Sequence, residues 1–435
     1  MIDINLIRNH PEIVENDLKK RGDSEKLKWL KEVIELDKQW RQLKFDLQKI
    51  EHQRNVISEE ISKLRKEKRD VGEQLKKLRD IPEKIEWYKA EMGGIKRRID
   101  YYIIRLPNIL HDSVPTGQGE EGNQIVREWG KTPEFKFKPK SHVDQLKLLD
   151  VGDIERAAKV SGARFYYLKN ELVLLDLALQ KFALDILRER GYKIIYPPFM
   201  MAKKPYEGVT SLDDFEEMLY KIEGEDLYMI ATSEHPIAAM HMDETIDPEA
   251  LPLKYAGLSA CFRKEAGAHG KDTKGIFRVH QFNKIEQFIF CKPEDSWKFH
   301  EELIKNAEEI VQKLGIPYRI TNICSGEIGT VAAKKYDLEG WFPVQNKYRE
   351  LISCSNCTDY QARRLNIKFG KEGGKKEFVH TLNSTAIATG RMIVAIMENF
   401  QNEDGSVNIP KVLWPYMNNI KKIEVKKLGS IKKHQ

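Results

Sequence analysis

From Leu36 to Leu106 the apolar residues keep a helical spacing that few folds can use. Leu36, Trp40, Leu43, Leu47, Ile50, Ile57, Ile61 and Leu64 follow steps of three and four, with Arg54 in one slot where an apolar residue is due. A second series, Ile85, Tyr88, Met92, Ile95, Ile99, Tyr102 and Leu106, repeats the pattern. Each series lays a narrow apolar stripe along one helix, and a stripe that long needs a partner stripe to leave water. Two runs of similar length, with a break near Gly72 to Pro82, predict an antiparallel hairpin of two long helices. At ~1.5 Å per residue, ~40 residues make an arm on the order of 60 Å long. Gly93-Gly94 weakens the second helix locally. The pattern stops at the Pro- and Gly-rich segment PNILHDSVPTGQGEEGN, Pro107 to Asn123, a natural boundary. The expected division is an arm over 1–107, a linker over 108–122 and a second domain over 123–435.

Charge is local rather than global. The net charge of +6, from 73 basic and 67 acidic residues, does not by itself predict a nucleic-acid partner. Around the expected tip, Lys63, Arg65, Lys66, Lys68, Arg69, Lys76, Lys77 and Arg79 face only Glu67, Asp70 and Glu73. That excess is either a solvated helix face or a surface able to follow a phosphate backbone. No stretch of ~18 apolar residues predicts a membrane span. The first residues, MIDINLIRNHPEIVEN, lack the basic start and apolar run of a signal peptide. Five scattered cysteines suit a reducing compartment, the cytoplasm by default.

In the second domain, ACFRKEAGAHGKDTKGIFRVHQFNKIEQFIFC, Ala260 to Cys291, reads as two strands joined by a basic, mobile loop over Ala266 to Gly275. On a period of two, Arg263 and Glu265 share a face, as do Arg278, His280, Phe282, Lys284 and Glu286. Val279, Ile285 and Ile289 take the opposite face. Two arginines, a lysine, two glutamates and a ring on one sheet face are hard to place in a core. Cys354-Ser-Asn-Cys357 invites a zinc reading, but no second such pair exists to complete a site. Neither a Gly-x-x-x-x-Gly-Lys loop nor a dinucleotide-binding glycine fingerprint is present.

Arg263-x-Glu265, a basic loop, and Arg278-Val-His-Gln-Phe282-x-Lys284-x-Glu286 resemble the second signature of class II aminoacyl-tRNA synthetases, in the form that seryl-tRNA synthetases use. Gly191-Tyr-Lys-Ile-Ile-Tyr-Pro-Pro198 looks like the first signature, which lies at a dimer interface. The stretch Thr381 to Arg391 looks like the third. The arm and the linker look like those of the same family. The fold implied is α+β: an N-terminal two-helix arm, then a class II antiparallel sheet with flanking helices.

The resemblance also implies a function and its residues. The activity would be activation of L-serine with ATP and transfer of the seryl group to tRNA(Ser), with tRNA(Sec) as a second substrate. Arg263, Arg391 and Glu350 would serve the chemistry. Thr232, Ser233, Glu234, Arg263, Glu286, Asn383 and Thr385 would hold serine, with Thr385 where many relatives carry serine. Arg263, Lys264, Glu265, Val279, Phe282, Glu350, Leu351, Ile352, Ser353 and Arg391 would hold ATP, and Glu350 with Ser353 would hold Mg2+. Lys66, Arg69, Lys76 and Arg79 would meet tRNA, and a homodimer is implied. A relative that loads a carrier protein would lack the arm; an inactive scaffold would have lost one of the arginines or Glu350. The tail from Asn418, with six lysines and one glutamate, is expected to be disordered.

Overall fold

The computed structural model describes residues 1–210, 218–265 and 274–426. They fall into two compact units, Met1–Ile109 and Leu110–Gln435.

The first unit is helical. Helices α1 (Ile4–Asn9) and α2 (Pro11–Arg21) precede α3 (Ser24–Lys66), α4 (Gly72–Leu78) and α5 (Ile81–Ile103). Asp23 caps α3, its carboxylate accepting the Lys26 amide at 2.9 Å. The 43 residues of α3 give a rod of about 65 Å. The chain reverses over 67–71, where Lys68 takes φ +56° and Asp70 accepts the Gly72 amide at 3.1 Å. The turn therefore lies before the expected break, and Gly72 to Leu78 is helical. Gly72 only begins a helix, where a missing side chain costs little. Pro82 sits in the first turn of α5, where its missing N–H has no partner to lose. Gly93 and Gly94 leave α5 unbroken.

Leu36, Ile61, Ile85 and Ile99 are buried along the seam, whereas Leu43, Leu47, Ile50 and Ile57 are half-buried and Arg54 is exposed. A two-helix seam covers each side chain from one direction only. The root is better covered, because Ile7, Val14 and Leu18 of α1 and α2 join Leu30, Val33, Ile103 and Leu106 in one core. There the buried Asp37 accepts Arg8 through Nε at 2.9 Å and a terminal nitrogen at 2.7 Å, and Arg41 Nε at 2.9 Å.

The second unit is built on an eight-stranded sheet of β1 (Gln124–Trp129), β2 (Lys193–Ile195), β3 (Leu253–Phe262), β4 (Gln281–Cys291), β5 (Tyr318–Asn322), β6 (Lys334–Phe342), β7 (Lys347–Asn356) and β8 (His380–Ala388). Their spatial order is β1-β5-β6-β7-β8-β4-β3-β2. Every pair is antiparallel except β2 with β3 at one edge. The edge strand β2 stops at Ile195, before Pro197 and Pro198, which could not donate to a ladder.

Ile285, Ile289 and Cys291 of β4 face the main core, which the helices Glu171–Glu189, Ser296–Leu314 and Thr389–Asn399 complete. The other face of β4 is divided. Phe288 and Phe290 enter a second core with Tyr206, Ile237 and Leu365, while Phe282, Lys284 and Glu286 line an open cavity.

Two expectations change, and a third falls outside the described residues. β3 ends at Phe262 and β4 begins at Gln281, so Arg263, Glu265, Arg278 and His280 lie in segments flanking the strands. The pairing continues into them irregularly, the Arg263 amide donating to the His280 carbonyl at 2.9 Å. Of the loop expected to be basic and mobile, residues 266–273 lie outside the described residues. The tail is ordered through 426: Lys422–Ile423 pairs with Val407–Asn408, and Ile423 is 1% exposed. Its lysines had hidden an apolar anchor at Ile420 and Ile423; residues 427–435 lie outside the described residues.

Residues 110–123 pack within the second unit. The amides of Ser325 and Gly326 donate to the carbonyls of Pro115 and Gly117, both at 2.9 Å. A Cβ on Gly117 would stand 2.6 Å from the Gly122 Cα and 3.1 Å from the Cys324 Sγ, so only glycine fits there.

Candidate active site

Two strand irregularities shape the site. Residues three apart on a regular strand face opposite ways. In β7, Glu350 pairs with Glu339 and Ile352 with Leu338, which leaves Leu351 as an extra residue. This bulge turns Glu350 and Ser353 to the same cavity. In β8, Thr385 pairs with Glu286 and Ile387 with Ile285, so Ala386 is extra. Thr385 and Ala388 then line the cavity together.

The cavity, about 410 Å³, has a cationic rim and a carboxylate floor. Arg263 donates through Nε to the Ala231 carbonyl at 3.3 Å, and its guanidinium lies 5.2 Å from the centre of the Phe282 ring. Arg391, in the first turn of its helix, donates to the Glu350 carbonyl at 3.0 Å and approaches the Glu350 carboxylate at 3.3 Å. The Arg391 guanidinium also lies over Phe277, at 5.2 Å. Gly390 brings the chain close to the Ile276 carbonyl, 3.1 Å from where a Cβ would sit. Glu265, at φ +50°, pairs with Arg278 at 2.8 Å.

On the floor, Glu286 is paired with Lys284, and the two side chains are 2% and 7% exposed. The Thr385 hydroxyl donates to Glu286 at 3.4 Å. Glu234 accepts Asn383 at 3.1 Å and Gln361 at 3.4 Å. The Thr232 hydroxyl oxygen accepts the Glu234 amide at 3.1 Å, starting the short helix that carries this carboxylate. Burial first, then repulsion from Glu286, pushes the Glu234 carboxyl up to about 7. Burial also raises Glu286, with Lys284 pulling the other way. Glu350 is the opposite case. Arg391 holds it well below the ordinary carboxylate range, although half its side chain is open to screening water.

Of the residues singled out in the sequence, Arg263, Glu265, Val279, Phe282, Glu286, Glu350, Leu351, Ser353, Arg391, Thr232, Glu234, Asn383 and Thr385 line this one cavity. Three do not. Ser233 donates to the Gly257 carbonyl at 3.3 Å, Lys264 is exposed beside Tyr220, and Ile352 belongs to the main core. Lys66, Arg69, Lys76 and Arg79 are exposed on the first unit.

Sequence reasoning missed two residues that line the cavity and one that stands beside it. Lys284 was placed on the right face but given no role. Phe277 bears both Arg391 and Arg349, the latter at 4.4 Å. Asp337 adjoins Ser353 only through strand register. The thiols of Cys354 and Cys357 are buried and pushed upward by that burial, far from the thiolate a metal needs. Among the described residues, no cluster of three or more His, Cys, Asp or Glu is arranged to hold an ion unaided. Glu350 and Ser353, two hard oxygen donors on one face, fit Mg2+ that is shared with phosphates.

An antiparallel sheet of this order, with arginines at the rim of a cavity over its centre, is that of a class II aminoacyl-tRNA synthetase core. Residues 218–400 match the tRNA synthetase class II core domain (G, H, P, S and T), and residues 1–110 match the seryl-tRNA synthetase N-terminal domain. The serine–tRNA ligase of Thermococcus sibiricus is 54% identical, over 96% of each chain. A seryl-tRNA synthetase structure from Pyrococcus horikoshii, complexed with ATP, superposes with a TM-score of 0.96 at 53% identity, covering 98% of this chain and 100% of that one. The cytoplasmic serine–tRNA ligase of Naegleria fowleri, in complex with AMP, gives 0.91 at 41% identity, covering 98% and 99%. The chain belongs to the seryl-tRNA synthetase family. No helix among the described residues is long and apolar enough to cross a membrane.

Proposed function

We propose that the chain activates L-serine with ATP and passes the seryl group to the 3′ end of tRNA(Ser). The observation that carries this is one cavity with two arginines, Arg263 and Arg391, at its rim and the buried carboxylate of Glu286 on its floor. The serine carboxylate attacks the α-phosphorus, the bond to the bridging oxygen breaks, and pyrophosphate leaves. A ribose hydroxyl of the tRNA then attacks the seryl carbonyl, and AMP leaves. Neither step needs a nucleophilic side chain; both need alignment and neutralised charge.

Arg263 takes the α-phosphate and Arg391 the γ-phosphate. Phe282 offers a face to adenine, and Glu265 accepts its amino group. Glu350 and Ser353 would hold Mg2+, which would supply neutralisation of phosphate charge when bound. Lys264, Val279, Leu351 and Ile352 shape the nucleotide site through backbone. Glu234 takes the serine ammonium with Thr232 and Asn383 around it, Ser233 anchors that loop from behind through the Gly257 carbonyl, and Glu286 with Thr385 takes the hydroxyl. Alanine would leave Glu286 and Thr385 without their partner, which supports strong rejection.

Lys66, Arg69, Lys76 and Arg79 on the arm bind tRNA phosphates, and the same arm serves tRNA(Sec). A homodimer is supported by apolar side chains exposed on edge strand β2 and beside it, Ile194 at 45% and Tyr196 at 71%, and on a helix, Leu177 at 56%. A tRNA- and ATP-dependent activity, with five buried thiols, suits the cytoplasm.

Serine-dependent exchange of labelled pyrophosphate into ATP, run beside alanine, threonine and glycine, tests the proposal. Exchange with serine far above the others is expected; equal exchange with alanine would overturn the reading of the floor. Charging of tRNA(Ser) and tRNA(Sec) transcripts tests the second step.

A further inference from the structure

Strand register sets one buried carboxylate behind the proposed cation site. Asp337 of β6 stands directly opposite Ser353 of β7 and is 9% exposed. Its carboxylate lies beside the Ser353 side chain across the ladder. Its Oδ1 has no hydrogen-bond partner. Asp337 also borders a cleft of about 540 Å³, lined by Lys335, Glu339 and Arg349, which shares Glu350 and Arg391 with the nucleotide cavity.

A serine hydroxyl is a weak, neutral ligand. It meets a hard cation through an oxygen lone pair, so its proton must point elsewhere and find an acceptor. A hydroxyl free to rotate would present its proton to the ion for part of the time. Asp337 supplies the acceptor from the neighbouring strand. With the proton drawn toward β6, the remaining lone pairs of Ser353 Oγ turn to the side that Glu350 also faces.

Stability does not account for this carboxylate. A buried acid with an unpartnered oxygen, facing only a neutral hydroxyl across the strand, costs free energy that an apolar residue would not. Lys335, on the same strand, lies near enough to offset part of that charge. A buried acid set behind a metal-binding side chain is instead the usual means of aiming that ligand.

We propose that Asp337 is a positioning residue for the cation site, fixing the Ser353 hydroxyl with its proton turned away from the metal. This rests on reading Glu350 and Ser353 as the metal ligands. On that reading the described residues offer two side chains to the metal, so the orientation of each matters more than in a site with many ligands.

The test is Mn2+ binding followed by electron paramagnetic resonance, with the full-length chain and the ATP analogue whose β,γ-bridging oxygen is a methylene. No serine is added, so no turnover is needed. Asp337→Asn should weaken Mn2+ binding by ten-fold or more. Ser353→Ala should weaken it similarly, and the double variant should be no worse than Ser353→Ala alone. The thermal midpoint of Asp337→Asn should stay at or above that of the parent. Parental Mn2+ binding in Asp337→Asn, or a full further loss when it is added to Ser353→Ala, overturns the proposal. Failure of both Asp337→Asn and Asp337→Ala to fold assigns the residue to stability and also overturns it. If Glu350→Gln and Ser353→Ala themselves bind Mn2+ as the parent does, the metal reading falls and this proposal with it. If only the Asp337 variants behave as the parent, the metal reading stands.

Discussion

The two units use charge in opposite ways. On the first, Arg69 and Arg79 hold side chains 68% and 85% exposed, in loose pairs with Glu67 at 3.3 Å and Asp80 at 3.9 Å. On the second, Lys284 and Glu286 are almost wholly buried against each other. Exposed charges act at long range, add nearly independently and are screened by salt. Buried charges act over one contact, are coupled, and are costly if left alone. A surface of the first kind suits a long polyanion that arrives by diffusion. A site of the second kind suits a small ligand that must be read atom by atom. Substitutions in the two units should therefore fail differently.

The largest effect belongs to the cavity. Arg263→Ala and Arg391→Ala should each lower serine-dependent exchange by about 10³-fold, some 4 kcal/mol of transition-state stabilisation. Circular dichroism should show both variants folded, since neither arginine belongs to a core. Near-parental exchange in either would remove that arginine from the phosphate site.

Removing most of the arm should divide the two steps. With residues 41–98 replaced by a short turn, the root keeps Ile7, Val14, Leu18, Leu30, Val33, Leu36, Ile99 and Ile103, together with the Arg8–Asp37 pair. Exchange should stay within about two-fold, because the cavity draws every lining residue from the second unit. Charging of tRNA should fall about 100-fold or more, the loss expected when several phosphate-binding side chains go together. A shortened enzyme that charges tRNA as well as the parent would make the arm a spacer.

How much of this was legible in the sequence depends on which period governs a region. The arm was legible because a helix repeats its face locally, and Leu36 to Leu64 announces that face without any partner. Its break was misplaced because Gly72 and Pro82 looked like interruptions, although both sit at helix starts, where they are tolerated. The root was missed, because Ile7 and Val14 belong to helices too short to show a stripe. In the cavity, the wording of Arg263 to Glu286 pointed to the right residues. Strand alternation would nonetheless have set Glu350 and Ser353 on opposite faces. Only the bulge at Leu351 unites them, and no local signal marks it. Lys284 was on the right face beside Glu286, but nothing local says that the pair is buried; Asp337 depends on which strand lies beside which, and register between strands distant in sequence leaves no trace in a single chain.

The coupled floor should respond to pH where the arm does not. Glu234 titrates at about 7, raised by burial, and must be ionised to take the serine ammonium. Below that value it is neutral, so kcat/KM for serine should rise about ten-fold from pH 6 to pH 8. Glu350, held low by Arg391, stays ionised across the window and should add no limb of its own. Glu234→Gln should flatten the profile while lowering its plateau. A parental profile in that variant would move the titrating group elsewhere.

The smallest single effects should come from the tip. Reversing Lys66, Arg69, Lys76 or Arg79 to Glu one at a time removes a solvated charge worth at most about 1 kcal/mol, a few-fold in tRNA affinity. The informative quantity is the salt dependence. For every phosphate that the arm no longer neutralises, the slope of log affinity against log salt should shrink by roughly 1. The four reversals should combine nearly additively, because exposed charges this far from a core share no cavity and no buried partner. Pyrophosphate exchange should be parental in all of them. Strong non-additivity would mean that the tip binds as a preformed pocket, with charges coupled as Lys284 and Glu286 are. An unchanged salt slope would mean that these four side chains only solvate the end of a coiled coil, and that tRNA phosphates meet the arm nearer its root.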